Sequence, residues 1–316
     1  MKKRLTFIVL LLGLIMSMGC SKEDDASEGG LPFLPDPNDI GSCMDDIVFM
    51  KYCYEHFDAN KDRKISKKEA ETVTEIDLTG LDVKTLTGIE YFANLEILNC
   101  KDCEKLTSVN LSNNPKIQVG YEMFYGCSSL TGIILPKAIV KIEEQAFMYC
   151  SSLTEIVLPK TVVEIGGSAF DRCSSLTNIN IPQGVTKLEN CVFWGCESLN
   201  NIVLPDGIIS IGYAAFEKCS SLKSVVLPKN IVRIPGRAFS RCDALTSVVI
   251  PENVTFVDSY AFLDCKNQLD IYCKATTPPS IDGCYYKFIL YVPAQSIEAY
   301  KNSPWSNYYS SIKAIE

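Results

Sequence analysis

The chain of 316 residues contains one histidine, His56, and that scarcity excludes much chemistry. No histidine-rich zinc site can be assembled, and any Ser/His/Asp or Cys/His arrangement must pass through this one ring. Basic charge is short as well: 30 Lys and Arg stand against 38 Asp and Glu, a net charge of −8. The first nineteen residues hold Lys2, Lys3 and Arg4 but no acid, so the remainder is more acidic still. A phosphate-tracking basic surface is therefore lacking, and no nucleic-acid partner is expected. Long apolar runs are missing too. The longest, Leu5 to Met18, is too short for a comfortable membrane crossing.

That stretch follows a positive Met1-Lys-Lys-Arg4 and has the proportions of a signal peptide. It ends at Ser17-Met18-Gly19-Cys20, where a small residue before a cysteine resembles a bacterial lipobox and implies lipidation of Cys20. Ser17 departs from the usual aliphatic residue, and an uncleaved anchor is the alternative. The acidic Ser21-Lys-Glu-Asp-Asp25 resembles an export signal of outer-membrane lipoproteins, although a solvated linker has the same composition. Gly29, Gly30, Pro32, Pro35 and Pro37 suit a tether. The expected arrangement is a signal peptide over 1–19 and a tether over 20–40. It places the protein on the cell-surface side of an outer membrane, with a lipid anchor as its one membrane contact.

The 15 cysteines are not spread at random. Cys127, Cys150, Cys173, Cys196, Cys219, Cys242 and Cys265 are each 23 residues apart, and Phe124 to Phe262 keep the same step three residues earlier. Leu130 to Leu245 and Pro136 to Pro251 form two further columns in register. Each unit reads as a short alternating strand ending at proline, a second extended piece, and an Ala-Phe-x-x-Cys tail expected as one helical or 3-10 turn. One such coil cannot bury its apolar edge alone, whereas stacked coils form a continuous core. The expected fold is a mostly-β α/β repeat solenoid of 23-residue coils.

Ser152-Leu-Thr-Glu-Ile-Val-Leu-Pro159 and Ile165-Gly-Gly-Ser-Ala-Phe-Asp-Arg-Cys173 resemble the repeat of BspA-like leucine-rich repeat surface proteins. Leu95 to Cys100 and Leu106 to Asn114 resemble more ordinary leucine-rich repeats, and Tyr291 to Tyr300 with Trp305 resembles that family's closing segment. The domains expected are irregular repeats over 76–126, regular ones over 127–265 and a cap over 266–316. Tyr291, Tyr300 and Trp305 would form its lid. The resemblance implies adhesion to a protein partner, on a host matrix or another bacterial surface, by a monomeric chain.

In the unit Leu-x-x-Ile-x-Leu the x positions point outward, on the expected concave face. Thr131, Thr154, Thr177, Asn200, Lys223 and Thr246 form one column, and Gly132, Glu155, Asn178, Asn201, Ser224 and Ser247 a second. The third is Ile134, Val157, Asn180, Val203, Val226 and Val249. These eighteen positions carry two charges, Glu155 and Lys223, and no aromatic ring. A carboxylate pair for glycoside hydrolysis is missing, and no enzyme is expected. A polar strip beside a β-branched stripe suits protein binding, though β-branched residues also simply suit strands. The candidate contacts are Ile134, Glu155, Val157, Asn178, Asn180, Asn201, Val203, Lys223, Val226 and Val249. The alternative, a glycan-binding accessory lipoprotein, needs aromatic platforms, and Tyr149, Trp194, Phe256 and Tyr285 look scattered. The second-strand column from Lys141 to Phe256 reads as structural.

Buried thiols are expected in the cysteine column, since identical slots point the same way and leave poor disulfide geometry. Cys273 and Cys284, outside the regular repeats, are the best disulfide candidates. Cys100-x-x-Cys103 lacks a second pair for zinc. One segment has metal-ligand spacing. Asp58, Asn60, Asp62, Ser66 and Glu69 occupy positions 1, 3, 5, 9 and 12 of an EF-hand-like loop, with the Lys64 carbonyl at position 7. Ile47, Met50, Tyr54 and Phe57 would face inward from an entering helix. Arg63 stands where glycine is usual, and no second loop is visible. A structural calcium ion ordering an N-terminal helical cap over 41–75 is expected; a calcium-free polar turn is the alternative.

Overall fold

A computed structural model describes residues 36–265, 267–283 and 287–315. Cys20, the signal peptide, most of the tether, Cys284 and Tyr285 lie outside the described residues. The chain winds into a mostly-β solenoid of about ten coils around one continuous apolar core.

Each coil is short because proline ends its first strand. Glu155–Ile156 is followed by Pro159, whose carbonyl accepts the Val162 N–H at 3.1 Å, and the chain turns into Glu164–Ile165. The same corner recurs at Pro182, Pro205, Pro228 and Pro251. Proline fixes φ for the turn and removes the donor that would extend the ladder. First strands pair in parallel in short sets, as Ser108–Asn110 does with Gly132–Ile134 and Glu155–Ile156 with Asn178–Ile179. Toward the C-terminus the first-strand column becomes one five-stranded parallel sheet: Ser224–Val226, Ser247–Ile250, Asp270–Cys273, Phe288–Val292 and Tyr309–Ala314. The second strands form their own parallel pairs, including Lys141–Ile142 with Glu164–Ile165. There Lys141 bridges Glu164 at 2.8 Å and Arg233 lies over the Phe256 ring, so this charged column ties coil to coil.

The Ala-Phe-x-x-Cys tail is neither helical nor 3-10. It is an arc in which two residues per coil adopt left-handed backbone: Gln145 and Tyr149, Ser168 and Arg172, Cys191 and Gly195, Ala214 and Lys218. Along the arc every second N–H points toward the next coil. Gln145, Phe147 and Tyr149 donate to the carbonyls of Gly167, Ala169 and Asp171, and the next arcs repeat this. The intervening N–H groups close turns within their own coil, as Met148 does to Gln145 at 3.1 Å. The left-handed conformation costs an L-residue roughly 1 kcal/mol, and two inter-coil hydrogen bonds at about that worth offset it.

The core is a set of columns. Phe124 through Phe262 stack with ring centroids 5.4–5.7 Å apart. Each buried ring stabilises by about 1.5–3 kcal/mol. The thiols of Cys127 to Cys242 are unbridged and buried, as expected. They do more than fill space: Cys150 donates to the Phe124 carbonyl at 3.0 Å, Cys173 to Phe147 at 3.2 Å, and the pattern continues to Cys265. Cys273 is also unbridged; as an inward position of its strand it is buried, with its sulfur 3.1 Å from the Tyr300 hydroxyl oxygen. Cys273, offered with Cys284 as the best disulfide candidate, is thus an unbridged core thiol, and Cys284 lies outside the described residues.

The ends are closed differently. At the C-terminus Tyr300, on helix α3 (Ile297–Lys301), and Trp305 are fully buried edge to face, donating to the carbonyls of Ala275 and Pro279. Tyr291 is not part of this lid; it lies on the first-strand face, stacked on Tyr272. At the N-terminus α1 (Ile47–Phe57) and α2 (Lys67–Ala70) flank the 58–66 loop. Helix α1 buries Phe49 and Cys53, and the expected Met50, Tyr54 and Phe57 pack against the core partly buried, whereas Ile47 is 61% exposed.

Candidate functional site

The first-strand face holds an exposed aliphatic feature. Val157, Val203 and Val226 are 63%, 73% and 67% exposed although each belongs to a well-packed coil. Their neighbours in sequence, Ile156, Ile202 and Val225, are buried, because successive side chains on a strand point to opposite sides. Ile134 and Val249 are half-buried in the same column. Register carries the stripe further than the repeat columns do: Val249 pairs with Tyr272, Tyr272 with Tyr291, and Tyr291 with Lys313. The two tyrosine rings stack at 4.4 Å with the Lys313 ammonium 5.4 Å from Tyr291. An aliphatic stripe ending in an aromatic pair is therefore present on a face that the regular repeats left without rings.

Glu155, Asn178, Asn201 and Lys223 are exposed beside this stripe, as expected. Asn180 is not available in the same way. Its amide donates to the Leu158 carbonyl and accepts the Leu158 N–H, both at 2.9 Å, so it serves the solenoid.

The EF-hand-like loop brings its expected ligands into one tight turn. Asp58 accepts the N–H groups of Asp62 and Arg63, Asn60 that of Asp62, and Asp62 that of Lys64. Glu69 reaches back across the loop to the N–H groups of Ala59 and Asn60 and to Ser66, which hold its carboxyl below the ordinary range. Arg63 takes φ of 65°, the conformation for which glycine is usual at this position. The missing second loop is replaced by the preceding segment. Ile40 donates to the Ile65 carbonyl, and Asp39 accepts the Ile65 N–H and the Tyr54 hydroxyl. The loop supplies hard oxygens of the kind calcium takes, but its carboxylates accept backbone N–H groups, and among the described residues no three acidic, histidine or cysteine side chains converge on a metal position.

His56 stacks on Tyr52 at 4.2 Å, beside the loop. Of the supposedly scattered rings, Tyr149 and Trp194 meet in one groove with Tyr125, whereas Phe256 lies on the second-strand face. Among the described residues no helix is long and apolar enough to cross a membrane.

The period, the proline corner and the Phe-x-x-Cys arc also decide the relationship to known proteins. A family model described as the BspA type leucine rich repeat region matches in six copies, over residues 94–200 and 140–269, more than half the chain. The chain belongs to this BspA-type family. A leucine-rich repeat protein of Treponema pallidum is similar in structure at 27% identity, covering 59% of this chain and 87% of that one, with a TM-score of 0.45. One from Bacteroides ovatus matches at 22% identity, 74% and 72% coverage and 0.46. A leucine rich cell surface protein of Faecalibacterium prausnitzii matches at 22%, with 81% and 72% coverage and 0.42. No curated protein matches. BspA-type repeats form solenoids that typically serve as binding scaffolds.

Proposed function

We propose that this BspA-type solenoid is a non-enzymatic adhesion scaffold, monomeric, carried to the cell-surface side of an outer membrane on a lipid at Cys20. Its partner is a protein of a host matrix or of another bacterial surface. The observation that carries the reading is the exposed stripe of Val157, Val203 and Val226 running toward stacked Tyr272 and Tyr291. β-branched side chains on a rigid ladder lose little entropy on binding, and tyrosines are enriched among residues that dominate interface energies. The sparse charge beside the stripe argues against electrostatic steering. Calcium in the 58–69 loop is proposed as a structural ion of the N-terminal cap, held by Asp58, Asn60, Asp62, Glu69, the Lys64 carbonyl and Ser66.

The test is binding of the protein and of its Val157→Lys, Val203→Lys, Val226→Lys variant to arrayed matrix proteins and bacterial cells. Loss of a bound partner in the triple variant supports the stripe; full retention excludes it.

A further inference from the structure

A second surface lies on the arcs, away from the first-strand columns. A groove of about 570 Å³ runs along the solenoid from Asp102 and Glu104 to Lys218. Those ends are five coils apart, roughly 24 Å at one strand spacing per coil. One wall is a stack in which ring and cation alternate. The Arg172 guanidinium lies 4.9 Å from the Tyr149 ring and 4.8 Å from Trp194, and the Lys218 ammonium lies 4.1 Å from Trp194. Tyr125 meets Tyr149 edge to face at 5.4 Å. The rings thus spend their faces on the cations and hold them in fixed places. The other wall is a row of serines whose protons are already used: Ser151 donates to the Ser128 carbonyl and Ser174 to that of Ser151. What the row offers a ligand is therefore acceptor oxygens, joined by the carboxylates of Glu104 and Glu197.

Three features define the occupant. The serine row repeats once per coil, about 4.8 Å, and the cations once per two coils, whereas an extended peptide repeats on one face every roughly 6.7 Å and drifts out of step. A sugar residue in an extended chain is about as long as a coil is thick. Acceptors and cations stand side by side with no apolar pocket for a side-chain anchor, which suits a polyhydroxylated ligand. Finally, Arg172 and Lys218 occupy the same slot of alternate coils, with Gly195 between them, while acids mark the far end. A uniformly anionic polymer would meet Asp102 and Glu104, and a neutral one would add no counter-charge beyond the buried Asp171, 3.9 Å from Arg172.

We propose that the groove binds an extended oligosaccharide in which neutral and carboxylate-bearing residues alternate, with carboxylates at Arg172 and Lys218 and hydroxyl groups donating to the serine and acidic side chains. This site is independent of the valine stripe.

Isothermal titration of the full-length protein with a hyaluronan hexasaccharide tests it, with neutral chitohexaose and gelatin peptides as comparators. The expected result is saturable binding of the alternating acidic hexasaccharide, at least tenfold weaker chitohexaose, and at least tenfold loss in the Arg172→Gln, Lys218→Gln variant, measured at a temperature where circular dichroism shows it folded. The Ser151→Ala variant, which keeps every charge, should lose several-fold, and the triple lysine variant of the valine stripe nothing. No saccharide binding at millimolar concentration, equal binding by chitohexaose, unchanged affinity in Arg172→Gln, Lys218→Gln, or gelatin peptides taking the groove in place of sugar would overturn the proposal.

Discussion

Asn180 reaches back one coil and takes both hydrogen-bonding groups of Leu158 with its side chain. In the corresponding place three coils on, the Leu227 N–H donates to the Val249 backbone carbonyl at 3.3 Å. The asparagine amide therefore does for its coil what a backbone carbonyl does elsewhere, and the valine column is interrupted for a structural reason. Asn180→Val would lengthen the stripe and remove two bonds. We expect a loss of about 1–2 kcal/mol by urea unfolding. A variant as stable as the parent would show that the backbone closes the gap unaided.

The cysteine column should behave as buried hydrogen-bonding thiols. Burial pushes the thiols of Cys150, Cys196 and Cys242 far above their ordinary range, so they present almost no thiolate. Native protein is expected to leave these positions unlabelled by a thiol reagent that labels them all in urea. Cys173→Ala should cost about 1–2 kcal/mol, through lost packing and an unpaired Phe147 carbonyl. Rapid native labelling at Cys173 would contradict the packing.

Asp171 is buried on its arc, with one carboxylate oxygen lacking a hydrogen bond and Arg172 Nε 3.9 Å away. Burial raises its pKa to about 6, against the pull of Arg172 and Lys218. A carboxyl raised on folding favours the folded state below its unfolded value near 3.8, and this contribution is lost as pH climbs through about 6. Asp171→Asn should thus raise the thermal midpoint at pH 7.5, and the gain should shrink toward zero by pH 4. A gain that is constant across this range would point to packing instead.

For the loop, calcium is expected to raise the thermal midpoint of the protein above its value in chelator. Arg63→Gly should relieve about 1 kcal/mol of left-handed strain and raise the midpoint in both conditions, since the ion-free loop already holds this turn. Glu69→Ala should abolish the calcium effect and also lower the chelator midpoint, because Glu69 completes the capping box with Ser66. Equal midpoints with and without calcium would remove the ion from the proposal.

The repeat was readable because four residue types keep one period and each has a packing reason to do so. The arc conformation was not. Gln145, Ser168, Cys191 and Ala214 have no preference for left-handed backbone; neighbouring carbonyls impose it. The aromatic end of the first-strand stripe was hidden by irregular steps, since Tyr272 follows Val249 by the usual 23 residues but Tyr291 and Lys313 come after shorter ones. The groove was split across columns: Tyr125 and Trp194 share one slot and Tyr149 the next, so they meet only when arcs are stacked.

The arcs also give the molecule a direction. In each, three peptide units point their N–H groups toward the C-terminus and their carbonyls toward the N-terminus, and stacking adds them head to tail as along a helix. A column built this way ends in unmet donors on one side and unmet acceptors on the other. Its C-terminal end accordingly needs acceptors, and the Gly283 carbonyl supplies one to the Tyr260 N–H. At the other end it needs donors, and Leu78 and Gly80 give theirs to Asn99 and Lys101. The two caps are therefore not interchangeable, and added coils would be accommodated between them but not beyond either.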